Sequence, residues 1–369
     1  MKLVFQKQDL SKTLQTVQKT AQAKTNSNVV NGILIKAITD IIEIQANDFD
    51  MGYRIKTTGT IEEKGEMVIT TSYLSELVRK MPGNTITFIS KENSGNVTII
   101  AEKSKFDFLT IPVDNFPLVD IMVSDSRKVY INSADLKELI EDTTYSCASE
   151  DSRPIFTGAL LDIQDKKVIM VATNTHRMAY KEKLLAEKGT ESMKAIIPSK
   201  ILNEIARLLS TEEPEQVKIV WNRTQIAFEI GNTYVITRLI EGEYPNYEKV
   251  IPKNFDAVVT LKRNEINDAV ERASIIAKDV NYNVIHYEFS PTEVKLTSQN
   301  PDVGMVEEVA ACQLEGKNIK ISFNSKYVLD ILKHLDKEEI YFYMKENGPM
   351  MIKQKDDDFY IYVVTPMRA

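Results

Sequence analysis

Residues 66–81 read EMVITTSYLSELVRKM, and the pattern returns at 194–209 as KAIIPSKILNEIARLL and at 319–335 as IKISFNSKYVLDILKHL. Each copy opens with a short apolar stretch of strand character. It then switches near a Ser to apolar residues at i, i+3, i+4 and i+7, the period of a helix. The anchors are Leu74, Leu77, Val78 and Met81, then Leu202, Ile205 and Leu209, then Val328, Ile331, Leu332 and Leu335. Leu74, Leu202 and Val328 stand 128 and 126 residues apart. Ser72, Ser199 and Ser325 occupy the places where a helix N-cap is wanted.

Working outward, a second unit of the same kind interleaves with the first. KLVFQKQDL (2–10), KVYINSADL (128–136) and AVVTLKRNEI (257–266) each run from a strand into a helix. Their helical faces are Leu10, Leu14 and Val17; Leu136, Leu139 and Ile140; and Ile266, Ala269 and Val270. Asp9, Asp135 and Glu265 precede the first anchor, where a helix dipole favours an acid. Leu10, Leu136 and Ile266 are 126 and 130 residues apart, near the size of one domain. After the helices of the first set come alternating runs broken by turn residues: ITFISKENSGNVTIIA (86–101), VKIVWNRTQIAFEI (217–230) and IYFYMKENGPMMIK (340–353).

The expected architecture is therefore α+β: three domains of one fold, each with two helices packed on antiparallel sheets. Polar and Pro-containing stretches at SDSRK (124–128) and VIPKNFD (250–256) place the domains at 1–125, 126–252 and 253–369.

Composition excludes several classes. An apolar fraction of 43% in 369 residues is that of a folded chain, not a disordered or fibrous one. Cys147 and Cys312 are too few for a disulfide framework or a zinc site, and His176, His286 and His334 have no metal-ligand spacing. MKLVFQKQDL lacks the apolar core of a signal peptide, and no apolar run nears a membrane span, so a soluble cytoplasmic protein is expected. Forty-six Lys and Arg against 53 Asp and Glu leave a net charge of −7, the wrong sign for holding nucleic acid by bulk charge.

Charge is distributed unevenly, however. The six helical segments sum to about +1, leaving about −8 for strands and loops. Geometry adds a further constraint. Six helices, each about 10 Å wide, set side by side in a circle leave a bore of roughly 9 Å; twelve leave roughly 28 Å, wide enough for a duplex. Two chains closed head to tail could encircle DNA, and one could not. Held topologically, such a ring needs no basic exterior.

With these features in place the chain resembles a known family, the bacterial DNA sliding clamp, which is the β subunit of the replicative DNA polymerase III. The resemblance spans the whole chain. It is carried by FDFLTIPVDNFPLVD (106–120), ATNTHRMAY (172–180), EGEYPNYEKVIP (241–252), NPDVGMVEE (300–308), FNSKYVLDILKHL (323–335) and YVVTPMRA (362–369). It implies a ring-shaped homodimer, with helices lining the hole, that encircles duplex DNA without reading sequence. The ring tethers the replicative polymerase, the clamp loader and other proteins bearing short clamp-binding motifs. It implies processivity without catalysis, and neither cofactor, metal nor membrane.

Residue by residue, the resemblance implies a partner-peptide pocket at Phe156, Thr173, Thr175, His176, Arg177, Met178, Pro245, Lys249, Val250, Asn324, Tyr327, Val363, Val364, Pro366, Met367 and Arg368. Deformable Met and rigid Pro suit an incoming Leu or Phe. It implies DNA contacts at or beside Lys24, Arg79, Arg153, Lys200 and Arg207, and a dimer contact at Phe106, Phe108, Ile275 and Ile276. Phe-x-Phe on a strand sets both rings on one face, which suits an apolar seam. Three departures stand out. Thr175 replaces the usual Gly, Ala369 replaces a larger apolar residue, and Pro154–Ile155 replace an aromatic pair.

Two rival readings differ in class. An enzyme would draw on His176–Arg177 or on a metal at Asp356–Asp358. No nucleophile elbow or phosphate loop accompanies them, and the acids fall where a solvated turn is expected. A DNA-independent ring scaffold gathering partner proteins would tolerate the net −3 of the segment 133–148.

Overall fold

A computed structural model describes residues 1–18, 32–91, 95–122, 127–149, 153–187, 189, 191–278 and 283–367. In chain order the elements begin with β1 (Lys2–Gln6), α1 (Lys7–Gln18), β2 (Gly32–Ala37), β3 (Ile42–Asn47) and β4 (Met51–Thr57). There follow β5 (Thr60–Glu63), β6 (Gly65–Thr70), α2 (Thr71–Lys80), β7 (Thr85–Ser90), β8 (Asn96–Ala101) and β9 (Ser104–Ile111). The middle stretch holds β10 (Lys128–Asn132), α3 (Ser133–Thr144), β11 (Gly158–Gln164), β12 (Lys167–Thr173), β13 (Arg177–Leu184), β14 (Met193–Pro198) and α4 (Ser199–Leu208). It continues with β15 (Gln216–Trp221), β16 (Gln225–Ile230) and β17 (Thr233–Arg238). The last third comprises β18 (Ala257–Lys262), α5 (Arg263–Ala277), β19 (Val284–Phe289), β20 (Glu293–Asn300) and β21 (Gly304–Gly316). It ends with β22 (Ile319–Asn324), α6 (Ser325–His334), β23 (Glu339–Met344), β24 (Met350–Gln354) and β25 (Tyr360–Val364).

These elements form two compact units. Met1–Ser133 with Glu212–Leu239 carries one sheet, ordered β10-β15-β16-β17-β4-β3-β2-β6-β9-β8-β7-β1-β5. Ala134–Thr211 with Ile240–Ala369 carries the other, ordered β14-β11-β12-β13-β25-β24-β23-β18-β21-β20-β19-β22. The pairings of described strands are antiparallel, as the short connections between strand-like runs predict.

The apolar periodicity emerges as burial. Leu10, Leu14 and Val17 of α1, Leu136, Leu139 and Ile140 of α3, and Val328, Ile331 and Leu332 of α6 are buried. Asp9, Asp135 and Glu265 lie in the first turns of α1, α3 and α5. The serine N-caps require correction. Against the serines' placement as N-caps, α4 and α6 start one residue earlier and α2 two, at the point where the strand's extended backbone turns. Ser199 and Ser325 are the first helical residues, and Ser72 is the second residue of α2. The residues before the helices are Thr70, Pro198 and Asn324, and only the Asn324 side chain caps, accepting from the backbone N–H of Lys326 and Tyr327.

One backbone device is shared by the two units. Between β3 and β4, Asn47 Oδ1 accepts from Phe49 N at 2.9 Å, and Asp48 Oδ1 accepts from Asp50 N at 3.1 Å and Met51 N at 2.7 Å. Between β12 and β13, Thr173 Oγ1 accepts from Thr175 N at 3.1 Å, and Asn174 Oδ1 accepts from His176 N and Arg177 N, both at 3.0 Å. The hinge residues, Phe49 and Thr175, have φ of 71° and 77°. Next to each loop a strand distant in sequence joins the sheet: Met51 lies opposite Thr237, and Arg177 opposite Val364.

Candidate functional site

The second of these loops sits at the centre of the predicted pocket. Thr173 Oγ1 donates to the Arg177 carbonyl at 2.6 Å, so side chains of the loop hold it shut from within. The His176 carbonyl accepts from Thr365 N at 2.9 Å and Thr365 Oγ1 at 3.0 Å, which ties the loop to the chain's tail. Met367 N in turn donates to the Ser322 carbonyl at 2.8 Å, carrying the tail toward Asn324. Asn174 Nδ2 donates to the Tyr327 hydroxyl at 3.3 Å, and Tyr362 Oη donates to the Tyr327 carbonyl at 2.8 Å. Loop, tail and the start of α6 thus form one hydrogen-bonded frame.

Inside the frame is an apolar floor. Met178 and Val363 are buried in a cluster with Leu160, Val171, Ile196 and Tyr247. Phe156 lies edge-on to Tyr244 with ring centroids 6.2 Å apart, and the Tyr244 hydroxyl donates to the Val171 carbonyl at 3.3 Å. A single 3-10 turn at Tyr247–Lys249, capped by Asn246, presents Pro245, Lys249 and Val250 to solvent, Val250 being 45% exposed. Pro366 and Met367 are half-buried. In the other unit the place of Met178 is taken by Gly52, where a Cβ would meet Val119 at 2.9 Å and Ile236 at 3.2 Å. The same loop frame there borders a cavity of about 260 Å3 whose lining includes Phe49, Gly52, Val119 and Ile236.

Arg177 does not offer its charge to solvent. It is 7% exposed, with Nη1 on Asp330 Oδ2 at 2.5 Å, Nη2 donating to the Tyr145 carbonyl, and the guanidinium 4.7 Å from the Tyr327 ring centroid. It anchors the loop from behind. Asp330 and Tyr145 therefore belong to the site's support. Nothing in their local sequence marks them, because they meet Arg177 across 153 and 32 residues.

The other predicted positions are distributed as follows. Arg79, Arg153, Lys200 and Arg207 are exposed, and Arg207 is paired with Glu204 at 2.5 Å. Lys24 and Arg368 lie outside the described residues, as does Ala369. Phe106 on β9 is 41% exposed and Phe108 half-buried; Ile275 on α5 is 71% exposed and Ile276 half-buried. Sequence reading missed Leu109, Met305 and Val309, large apolar side chains that are also exposed. Sheet order alone sets both strands, β9 and β21, between neighbours. The register shows the open stretches, since β9 pairs with β6 only at Thr110 and Ile111, and β21 pairs with β18 only from Cys312 to Gly316. Asp356–Asp358 form a turn: Asp357 accepts from Phe359 N and Tyr360 N and lies 3.6 Å from the Lys181 ammonium, so it faces inward rather than toward solvent. Among the described residues no group of three or more His, Cys, Asp and Glu is placed to hold a metal ion.

An apolar floor framed by a self-braced loop and the chain's tail, on repeated two-helix units, is the build of a docking scaffold. Comparison with known proteins gives the family. Family models of the DNA polymerase III beta subunit match residues 1–120 (N-terminal domain), 130–246 (central domain) and 248–368 (C-terminal domain). A beta sliding clamp of Staphylococcus epidermidis is 30% identical over 361 residues, covering 95% of each chain; one of Staphylococcus aureus matches equally. Among solved structures, a putative DNA polymerase III beta subunit of Eubacterium rectale is 30% identical with a TM-score of 0.93, covering 100% of both chains. A Bacillus subtilis sliding clamp is 28% identical with a TM-score of 0.95, covering 100% of this chain and 99% of that one.

The chain belongs to the bacterial DNA polymerase III β subunit family, the sliding clamps. Its fold is the family's, three α+β domains with two helices each on antiparallel sheets. It encircles DNA, confers processivity and is not an enzyme; in general terms it acts with DNA, polymerase and clamp loader. No described helix is long and apolar enough to cross a membrane.

Proposed function

We propose that the frame around Met178 and Val363 is the pocket through which this clamp captures its partners, each inserting a short, mostly apolar segment with a Leu or Phe. The observation that carries this reading is the pair of hydrogen bonds from Thr365 to the His176 carbonyl, which holds tail and loop as two walls of one groove. Pro245, Val250, Pro366 and Met367 supply the apolar rim. Phe156, Thr173, Thr175, Asn324 and Tyr327 shape it, and Arg177 braces it.

In this reading the repeats are 1–125, 126–252 and 253–369, and two copies close head to tail in the cytoplasm around duplex DNA. Support for closure comes from two open sheet edges. Within the described residues, Ser104–Leu109 of β9 pairs only with β8, and Gly304–Ala311 of β21 only with β20. Open edges template further pairing, and both carry exposed apolar side chains, Phe106 and Leu109 on one, Met305 and Val309 on the other. Ile275 and Ile276 would extend the seam. Lys24, Arg79, Arg153, Lys200 and Arg207 would contact phosphates weakly, so that the clamp slides.

Removing Pro366–Ala369 tests the pocket. Binding of a fluorescein-labelled Ser-Leu-Leu-Phe-Ser peptide should be lost while the sedimentation of the protein stays unchanged. Undiminished peptide affinity would sink the assignment.

A further inference from the structure

Beside the proposed pocket, and sharing Pro245 with it, lies a cavity of about 370 Å3 between the 242–248 loop and the sheet face. Leu160, Ile196 and Tyr247 contribute apolar lining, Tyr244 and Pro245 stand at its side, and Glu243 and Glu248 contribute carboxylates. The one cation among its lining residues, Lys194, is spoken for. Its ammonium lies 3.2 Å from Asp162 Oδ2, which also accepts from Tyr247 Oη at 3.1 Å and Gln164 Nε2 at 2.8 Å. Asp162 is fully buried, and its Oδ1 has no hydrogen-bond partner in the structure. Nearby, Glu241 adds a further acid and Lys249 the only other cation in the stretch 241–250. Acids therefore outnumber cations around an opening walled by aromatic rings and a proline.

Resting on the pocket reading above, we infer that this cavity is a second subsite of the same groove, taking a basic side chain that flanks the partner's apolar segment. Continuity through Pro245 and the acidic lining select this occupant over an apolar or acidic one. An arginine or lysine entering here lays its aliphatic stem along Pro245 and Leu160. Its charge meets the Glu243 and Glu248 carboxylates and the face of Tyr244, Tyr247 being already engaged by the Lys194 ammonium 6.0 Å from its ring centroid. Glu243 and Glu248 form no ion pair with a described residue, so a new cation displaces no existing partner.

The experiment compares the labelled Ser-Leu-Leu-Phe-Ser peptide with versions extended by Arg-Arg or Glu-Glu at either end. Titrations use the full-length protein and its Glu243→Gln, Glu248→Gln double variant, at low and high salt. Partly exposed charge pairs predict that one Arg-Arg extension binds about 3–10-fold more tightly at low salt. That gain should vanish at high salt and in the double variant, while the unextended peptide binds both proteins alike. Equal binding of Arg- and Glu-extended peptides overturns the subsite but leaves the pocket standing. A gain that persists in the double variant overturns it too, since attraction to the overall negative charge would then suffice. If the unextended peptide fails to bind wild-type protein, the pocket reading falls and this inference with it.

Discussion

Thr175 carries a local cost that the pocket loop has to absorb. At φ 77° its branched side chain crowds the following carbonyl, a penalty of about 1–2 kcal/mol for a residue with a Cβ. The hydrogen bonds of Thr173 and Asn174 to the loop backbone hold it there. Glycine would remove the crowding but adds freedom to the unfolded chain worth about 0.5–1 kcal/mol. Thr175→Gly should thus stabilise the protein by up to about 1 kcal/mol, read as a higher urea midpoint at unchanged slope. A lower midpoint would show that the threonine makes up its cost elsewhere. Asp142 is a second site of residue-level tension. The buried Lys181 ammonium faces three carboxylates, Glu138 at 2.8 Å, Asp142 at 3.3 Å and Asp357 at 3.6 Å, and cannot neutralise all of them. Burial pushes the Asp142 carboxyl up to about 6, with Lys181 pulling the other way. Folded protein therefore holds the Asp142 proton more tightly than the unfolded chain does. Its contribution to stability is complete below the ordinary carboxyl value of 3.8 and is lost as pH rises through about 6. Glu138 runs oppositely: burial raises it, hydrogen bonds from Lys181 and Lys183 more than compensate, and its contribution fades as pH falls. Asp142→Asn should gain up to about 3 kcal/mol over wild type at pH 7.5 and almost nothing below pH 4. Paired melts across that range check the slope, and a pH-independent difference would contradict it.

At the scale of elements, α6 supports the pocket twice. Its capping residue, Asn324, frees the backbone of Lys326 and Tyr327 from water, and Asp330 one turn on holds Arg177. Asp330→Ala leaves a buried guanidinium without its counter-ion, a change worth about 3–5 kcal/mol in buried pairs and less here because Asp330 is partly exposed. The expected result is both a lower urea midpoint and weaker binding of the labelled peptide, since the loop loses its brace. Peptide affinity equal to wild type would mean that Thr173 and Asn174 suffice to hold the loop. The loop-and-strand device explains why the two units differ. Both have the side-chain-braced turn and the distant strand beside it, but one places Met178 at the next position and the other Gly52, against which Val119 and Ile236 pack.

For the whole molecule, the decisive quantity is how many copies assemble. Two open edges bearing Phe106, Leu109, Met305 and Val309 expose apolar surface that a lone chain leaves in water. Replacing Ile275 and Ile276 with Asp should yield monomers, because a charge desolvated in an apolar seam has no partner. Solution X-ray scattering at micromolar concentration distinguishes the outcomes: wild type at twice the monomer mass with a hollow distance distribution, the variant at one. A double variant that stays dimeric would move the contact elsewhere. Charge at this scale is modest. Arg207 is engaged with Glu204 and Lys80 with Glu76, so under the proposed arrangement these two cations would add little to DNA affinity.

The repeat, the six amphipathic helices and the faces they bury were legible in the sequence, because periodicity is local and the apolar residues of one face recur within a turn or two. Leu10, Leu136, Ile266, Leu74, Leu202 and Val328 all lie where that pattern puts them, in the core. The starts of α4 and α6 were misread by one residue and that of α2 by two, since a serine suits a first helical turn as well as a cap and the backbone turn that decides is not written in composition. Resemblance singled out the loop at 173–178 and the tail, but not what holds them together. Only the tertiary structure pairs Arg177 with Asp330, joins Thr365 to the His176 carbonyl, leaves β9 and β21 with open edges and engages Lys194 with Asp162. Such contacts depend on which distant strands become neighbours, and a sequence pattern with a period of two or of 3.6 residues carries no information about that choice.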